Sequence, residues 1–262
     1  DRFQMIVFTL LNRNFLFFLN KIQAQLILYC LFPLFIYLLI VAPLSNLFNI
    51  VETSGMKYSY HAISATIFAC SSIFAFFTPL VLLNNDKKNK FLLYLFTTGI
   101  KPNNYFLSII LYSIICAYIE FVLSLIIFIQ LSGSGSQLGV ILSWWQIFYF
   151  FIITFPCVLF FSNLGLLLSN LLKSLDTILI GIIFLFLFII FGSCSFIPIE
   201  YYPSAYGNFV NDYNIIYKLF DMFILILKNK NIGLATFVIS CFLSILFYFL
   251  NLVFFKKIAE NQ

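Results

Sequence analysis

Apolar residues along this chain neither alternate nor recur once per helical turn; they run on. Six stretches, at about 24–44, 59–83, 105–131, 144–171, 177–197 and 232–255, are nearly unbroken in Phe, Leu, Ile, Tyr and small residues. A helix needs about 20 such residues to cross a hydrocarbon core of ~30 Å. A backbone facing lipid must also satisfy its own hydrogen bonds, so runs of this length predict helices. A β-barrel would show shorter segments of alternating polarity. The pattern therefore predicts an all-α integral membrane fold, one transmembrane domain over 1–262 with six transmembrane helices.

The polar interruptions predict the rest. "LLNRNFLFFLNKIQAQ" mixes polar and apolar groups at helical spacing, with Arg13 and Lys21 among aromatic residues, and predicts an interfacial helix over 8–23. "SGSGSQLG" at 132–139 reads as a short uncharged linker. Between the fifth and sixth spans, "NIIYKLFDMFILIL" at 214–227 is too short to cross and carries Lys218 and Asp221. It predicts a re-entrant or interfacial helical hairpin. The connection "NNDKKNKFLLYLFTTGIKPNN" at 84–104 sets four lysines beside six consecutive apolar residues. Asn85 or Asp86 is a candidate N-cap, and Gly99 a left-handed helix end with Pro102 just beyond. A short amphipathic helix over 86–99 follows, with lysines in its first turn.

Composition removes the main alternative. The chain is 63% hydrophobic, 21% aromatic and 9% charged, with mean hydropathy +1.07, whereas soluble domains carry about 25% charged residues. A water-soluble globule lacks the means to cover itself. Lysine and arginine then orient the spans. With the N-terminus in the cytoplasm, ten basic residues lie inside and four (Lys57, Lys218, Lys228 and Lys230) outside. The positive-inside rule favours that arrangement, with both ends cytoplasmic, in a plasma or inner membrane. Trp144, Trp145, Tyr58, Tyr60, Tyr201 and Tyr202 then fall at the outer interface, where amphipathic rings prefer to sit. The first apolar stretch is interrupted at "NRN" and has no small-residue cleavage pattern, so it does not read as a signal peptide.

Candidate chemistry is sparse. The six cysteines fall one per span, without a CxxC pair, and the single histidine rules out a multi-histidine metal site within the chain. Glu120 is the one acid inside a predicted span. An ionisable group at such depth faces a cavity or a partner, which points to a transport path or a dimer seam, with His61 a candidate contact. Ala62, Ala65, Ala69 and Ser72, and Gly165 with Ser169, form small-residue stripes that let helices approach closely. Pro79 and Pro156 predict kinks. No GxxxxGK[ST] loop, HExxH or paired acids at metal spacing occur. The chain thus shows no catalytic or cofactor motif of its own, and the resemblance described next implies a transport subunit. A stand-alone secondary transporter or channel, or an intramembrane enzyme, is the rival reading.

The 84–104 connection resembles the segment after the second helix of ABC-2 type transporter permeases. There a charged turn precedes a leucine-rich coupling helix that rests on an ATPase. "NDKKNKFLLYLFTTG" keeps the charge, the leucine-rich middle, the paired threonines and the helix break, but lacks the family's acidic–glycine pair. Phe191 to Phe223 resembles the family's C-terminal signature, with Pro198, Pro203, Asn214, Tyr217 and Asp221 at comparable steps and Ile215 where a proline is usual. The resemblance implies a permease that dimerises with a second copy or a paralogue and works with two copies of a separate ABC ATPase, which binds ATP and Mg. It implies an ATPase-coupling site at Lys87, Lys88, Lys90, Phe91, Leu92, Leu95, Phe96, Thr97, Thr98 and Gly99. It also implies an outer gate at the five residues of the hairpin. Membrane lipid, not nucleic acid, is the other implied partner, and the net charge of +5 suits anionic lipid or an acidic protein surface.

Overall fold

The computed structural model describes residues 2–20, 22–48, 57–133, 140–172, 175–230 and 234–260. All regular structure among them is helical. In order these are α1 (Arg2–Asn20), α2 (Ile22–Ile36), a π-helical turn (Tyr37–Val41), α3 (Ala42–Phe48), α4 (Tyr58–Lys88), α5 (Phe91–Thr97) and α6 (Pro102–Gly133). They continue with α7 (Trp144–Leu171), α8 (Leu175–Leu187), a second π turn (Phe188–Gly192), α9 (Ser204–Tyr213), α10 (Ile215–Leu227) and α11 (Leu234–Glu260). The linker at 134–139, Lys21 and Lys173 lie outside the described residues.

Among the described residues, five helices are long and apolar enough to cross a membrane: Ile22–Phe48, Tyr58–Lys88, Pro102–Ser132, Trp144–Leu171 and Ala235–Phe255. The predicted 177–197 span is the shorter one. Its helix loosens into a π turn and ends at Gly192, five residues early, because Ser193, Cys194 (φ +51°) and Pro198 cannot continue it. The predicted interfacial helix begins earlier, at Arg2, and packs along α6.

The centre is α4. It is buried along most of its length and packs against α6 on one side and α7 on the other. Outside these layers lie α11, against α7, and α2, against α6. Small residues explain the α4–α7 crossing: a Cβ on Gly165 would stand 2.2 Å from the Phe76 carbonyl oxygen. Only glycine permits that approach. Pro79 removes the N–H that would bond the Ala75 carbonyl, and Ser113 of α6 supplies the missing donor at 2.8 Å. Ser113 also meets Ser162 of α7 at 2.8 Å, so one hydroxyl pair joins the three central helices at the kink. A neighbouring serine is the usual remedy for a proline-freed carbonyl where no water can reach.

Asn251 ties α11 to α7 in the same way, donating to the Asn163 carbonyl and accepting from the Asn170 amide, each at 3.0 Å. The outward faces of α8 and α11, with Ile183, Phe184, Phe242, Phe249 and Val253, are apolar and exposed. They suit lipid or another apolar partner.

Candidate functional site

The connection between α4 and α6 departs from its predicted geometry. Lys87 and Lys88 do not open the short helix; they close α4, which runs to Lys88, five residues past the predicted span, and is capped by Asn89. Cations stabilise a helix C-terminus, where unpaired carbonyls concentrate negative potential. The N-cap role expected for Asn85 or Asp86 is therefore not filled. Lys90 takes a left-handed φ of +56° and joins the two helices by itself: its N–H donates to the Lys87 carbonyl and its own carbonyl accepts from the Tyr94 N–H. The short helix is α5, Phe91–Thr97, closed by Gly99 at φ +72° as its sequence predicts.

Leu92 and Leu95 point into the body of the protein, packed with Leu10, Leu83, Phe106 and Phe255. Lys88, Asn89, Lys90, Tyr94, Thr97 and Thr98 form the outward side. Thr97 and Thr98 donate to the Tyr94 carbonyl, at 2.8 and 3.1 Å, which finishes the helix locally. Nothing is described for the side chain of Phe96.

A buried polar junction anchors this unit. Asp86 accepts from the Arg13 guanidinium at 2.7 Å and from the Tyr105 hydroxyl at 2.8 Å. Arg13 also lies 4.0 Å over the ring of Phe91. One carboxylate thus links α1, α4 and α6, and the arginine carries the link to the first residue of α5. Lys87 reaches across to the Ser169 carbonyl near the end of α7. Five helices converge where the sequence predicts a short amphipathic helix with lysines in its first turn. Asp86 and Arg13 were not expected as partners, because the contact spans 73 residues and neither residue belongs to a recognisable spacing.

Glu120 is wholly buried within the chain, and neither carboxylate oxygen receives a hydrogen bond. Its polar neighbour is the Cys70 thiol on α4, a weak donor. The contact with His61 does not form: His61 lies nine residues before Cys70, about 13 Å along the helix at ~1.5 Å per residue.

His61 belongs to the opposite end, where the hairpin residues gather. Asn214 caps α10, its Oδ1 accepting from the N–H groups of Ile216 and Tyr217, while its Nδ2 donates to the Gly192 carbonyl at 3.1 Å. Tyr206 donates to the same carbonyl and Tyr202 to that of Phe191. The frayed end of the α8 helix is thus satisfied by the hairpin, and the asparagine works without a following proline. A cavity of about 50 Å³ sits beneath, lined by His61, Pro198, Glu200, Tyr217, Asp221 and Lys228, among others. Burial pushes the Asp221 carboxyl above the usual carboxylate range, and Lys228 and Lys230 draw it back. Pro203 stands apart, as the residue before the first turn of α9. Among the described residues no group of three or more His, Cys, Asp or Glu is placed to hold a metal ion.

Fold and sites together define a polytopic helical membrane protein. No family model, curated protein or solved structure matches the chain.

Proposed function

We propose that this chain is the membrane-spanning permease subunit of an ATP-driven exporter of the ABC-2 type. In this reading α8 is the fifth of six spans: Leu175–Gly192 has a helical length of about 27 Å at ~1.5 Å per residue, close to the ~30 Å core. Both ends face the cytoplasm. Two copies, or one with a paralogue, carry an amphipathic substrate outward, and a separate ATPase bound at the basic end supplies ATP and Mg chemistry.

One observation carries the reading. The short helix α5 stands between two spans and presents Lys88, Lys90, Tyr94, Thr97 and Thr98 outward, while Leu92, Leu95 and the Arg13–Asp86 junction fasten it to α1, α4 and α6. A loop that serves topology alone requires no such anchorage. A helix pushed from below does, since force on α5 passes through a packed and hydrogen-bonded contact into the central helix.

The test separates surface from anchor. Lys88→Glu, Lys90→Glu and Tyr94→Glu together should leave insertion unchanged and lower the melting temperature only slightly, through the lost cation at the end of α4, while abolishing ATPase binding. Retained binding in that triple variant would remove α5 as the docking element. Leu92→Asp, in contrast, should destabilise the chain itself.

A further inference from the structure

A second feature lies between α1, α2, α4 and α6, at the same end as Arg13 and Lys87. It is a cavity of about 80 Å³ with Tyr29, Phe74, Phe77 and Tyr112 in its walls, Cys116 on its floor and Gln25 beside it. The Cys116 thiol is ringed by the hydroxyls of Tyr29, Tyr112 and Thr78. Among the described residues no basic side chain lines it.

Gln25 is the anomaly. Its Oε1 is shut off from the surface and accepts no hydrogen bond among the described residues, on a helix where an apolar residue would be at ease. A buried acceptor without a donor costs about 1–3 kcal/mol. What is missing is therefore a donor, and the aromatic faces around it favour one that is positively charged, since ring faces attract cations. Size narrows the choice further. An apolar cavity of about 150 Å³ holds benzene, so the smaller space here suits a head group of a few atoms. Leu28 lines the cavity and is itself 46% exposed, which leaves a way out toward lipid.

We propose that this cavity binds the ammonium head of a single-chain amphipathic amine, with Gln25 accepting an N–H bond and the alkyl tail leaving past Leu28. The site exists whether or not the chain is an exporter; only its service as a point of cargo entry rests on that reading.

Binding is measured on the purified full chain in zwitterionic nanodiscs, with no ATPase present. The probes are dodecylamine, dodecanol and dodecanoate. The amine should bind at least about tenfold tighter than the other two, the scale of one charge-assisted hydrogen bond. Gln25→Leu, apolar and suited to the membrane, should erase that preference, and Gln25→Glu should raise it by about tenfold. Equal binding of all three probes would overturn the site and mark simple partition of alkyl chains. So would a preference that survives Gln25→Leu, or one that Gln25→Glu leaves unchanged. The glutamate variant decides alone should the leucine variant fail to fold. Failure to find an ATPase partner would leave every one of these results intact, so the two ideas fall separately.

Discussion

Glu120 shows how much a single residue costs and what it implies. A carboxyl group in the middle of a helix bundle, with only the weak Cys70 thiol beside it among the described residues, forgoes about 1–3 kcal/mol of hydrogen bonding. Glu120→Leu should therefore raise the melting temperature of the isolated chain while lowering transport in the assembled complex. A lower melting temperature would show that the side chain has a stabilising partner, and would contradict its isolation. Lys90 is the converse case, a residue strained by its backbone. A non-glycine side chain in the left-handed region costs about 1–2 kcal/mol, so Lys90→Gly should stabilise the chain by about 1 kcal/mol. Thermal melts of the two proteins check it.

At the scale of elements, the junction of α1, α4, α5 and α6 decides how the basic end moves. Asp86→Ala leaves the Arg13 guanidinium and the nearly inaccessible Tyr105 hydroxyl without their shared acceptor. It should cost about 1–3 kcal/mol. In a double-mutant cycle with Tyr105→Phe the two losses should be non-additive, because they remove one interaction. Additive losses would show that the hydroxyl and the carboxylate act apart. The same region shows what the sequence can and cannot tell. Long apolar runs announced the helices, and Trp144–Leu171 spans the range its pattern predicts. The end of α4 was misplaced by five residues because Asn85 and Asp86 are good caps and no glycine or proline marks the real break at Lys90. The better signal was already there: Lys87 and Lys88 suit the C-terminus of a helix and not the start of the next. The Arg13–Asp86 pair stayed out of sight for another reason, since only tertiary packing brings those residues together. Gln25 was hidden likewise, for a lone polar residue at the start of a span looks like an interfacial one until its surroundings are known.

The described residues form an inner core of three helices, α4, α6 and α7, inside a more exposed outer layer. The two ends are built differently. At one, a hairpin closes the frayed end of α8 through Asn214, Tyr202 and Tyr206; at the other, α5 hangs on a charged junction with a polar outer face. That asymmetry is the physical basis for expecting force to enter at the basic end and a gate to lie at the hairpin. The most direct test of the transport account is the mass of the intact complex, taken by native mass spectrometry after gentle solubilisation from its own membrane. The account predicts two membrane chains together with two copies of a P-loop ATPase, and loss of the ATPase in the Lys88→Glu, Lys90→Glu, Tyr94→Glu variant. A chain that leaves the membrane alone, or only with copies of itself, would contradict it.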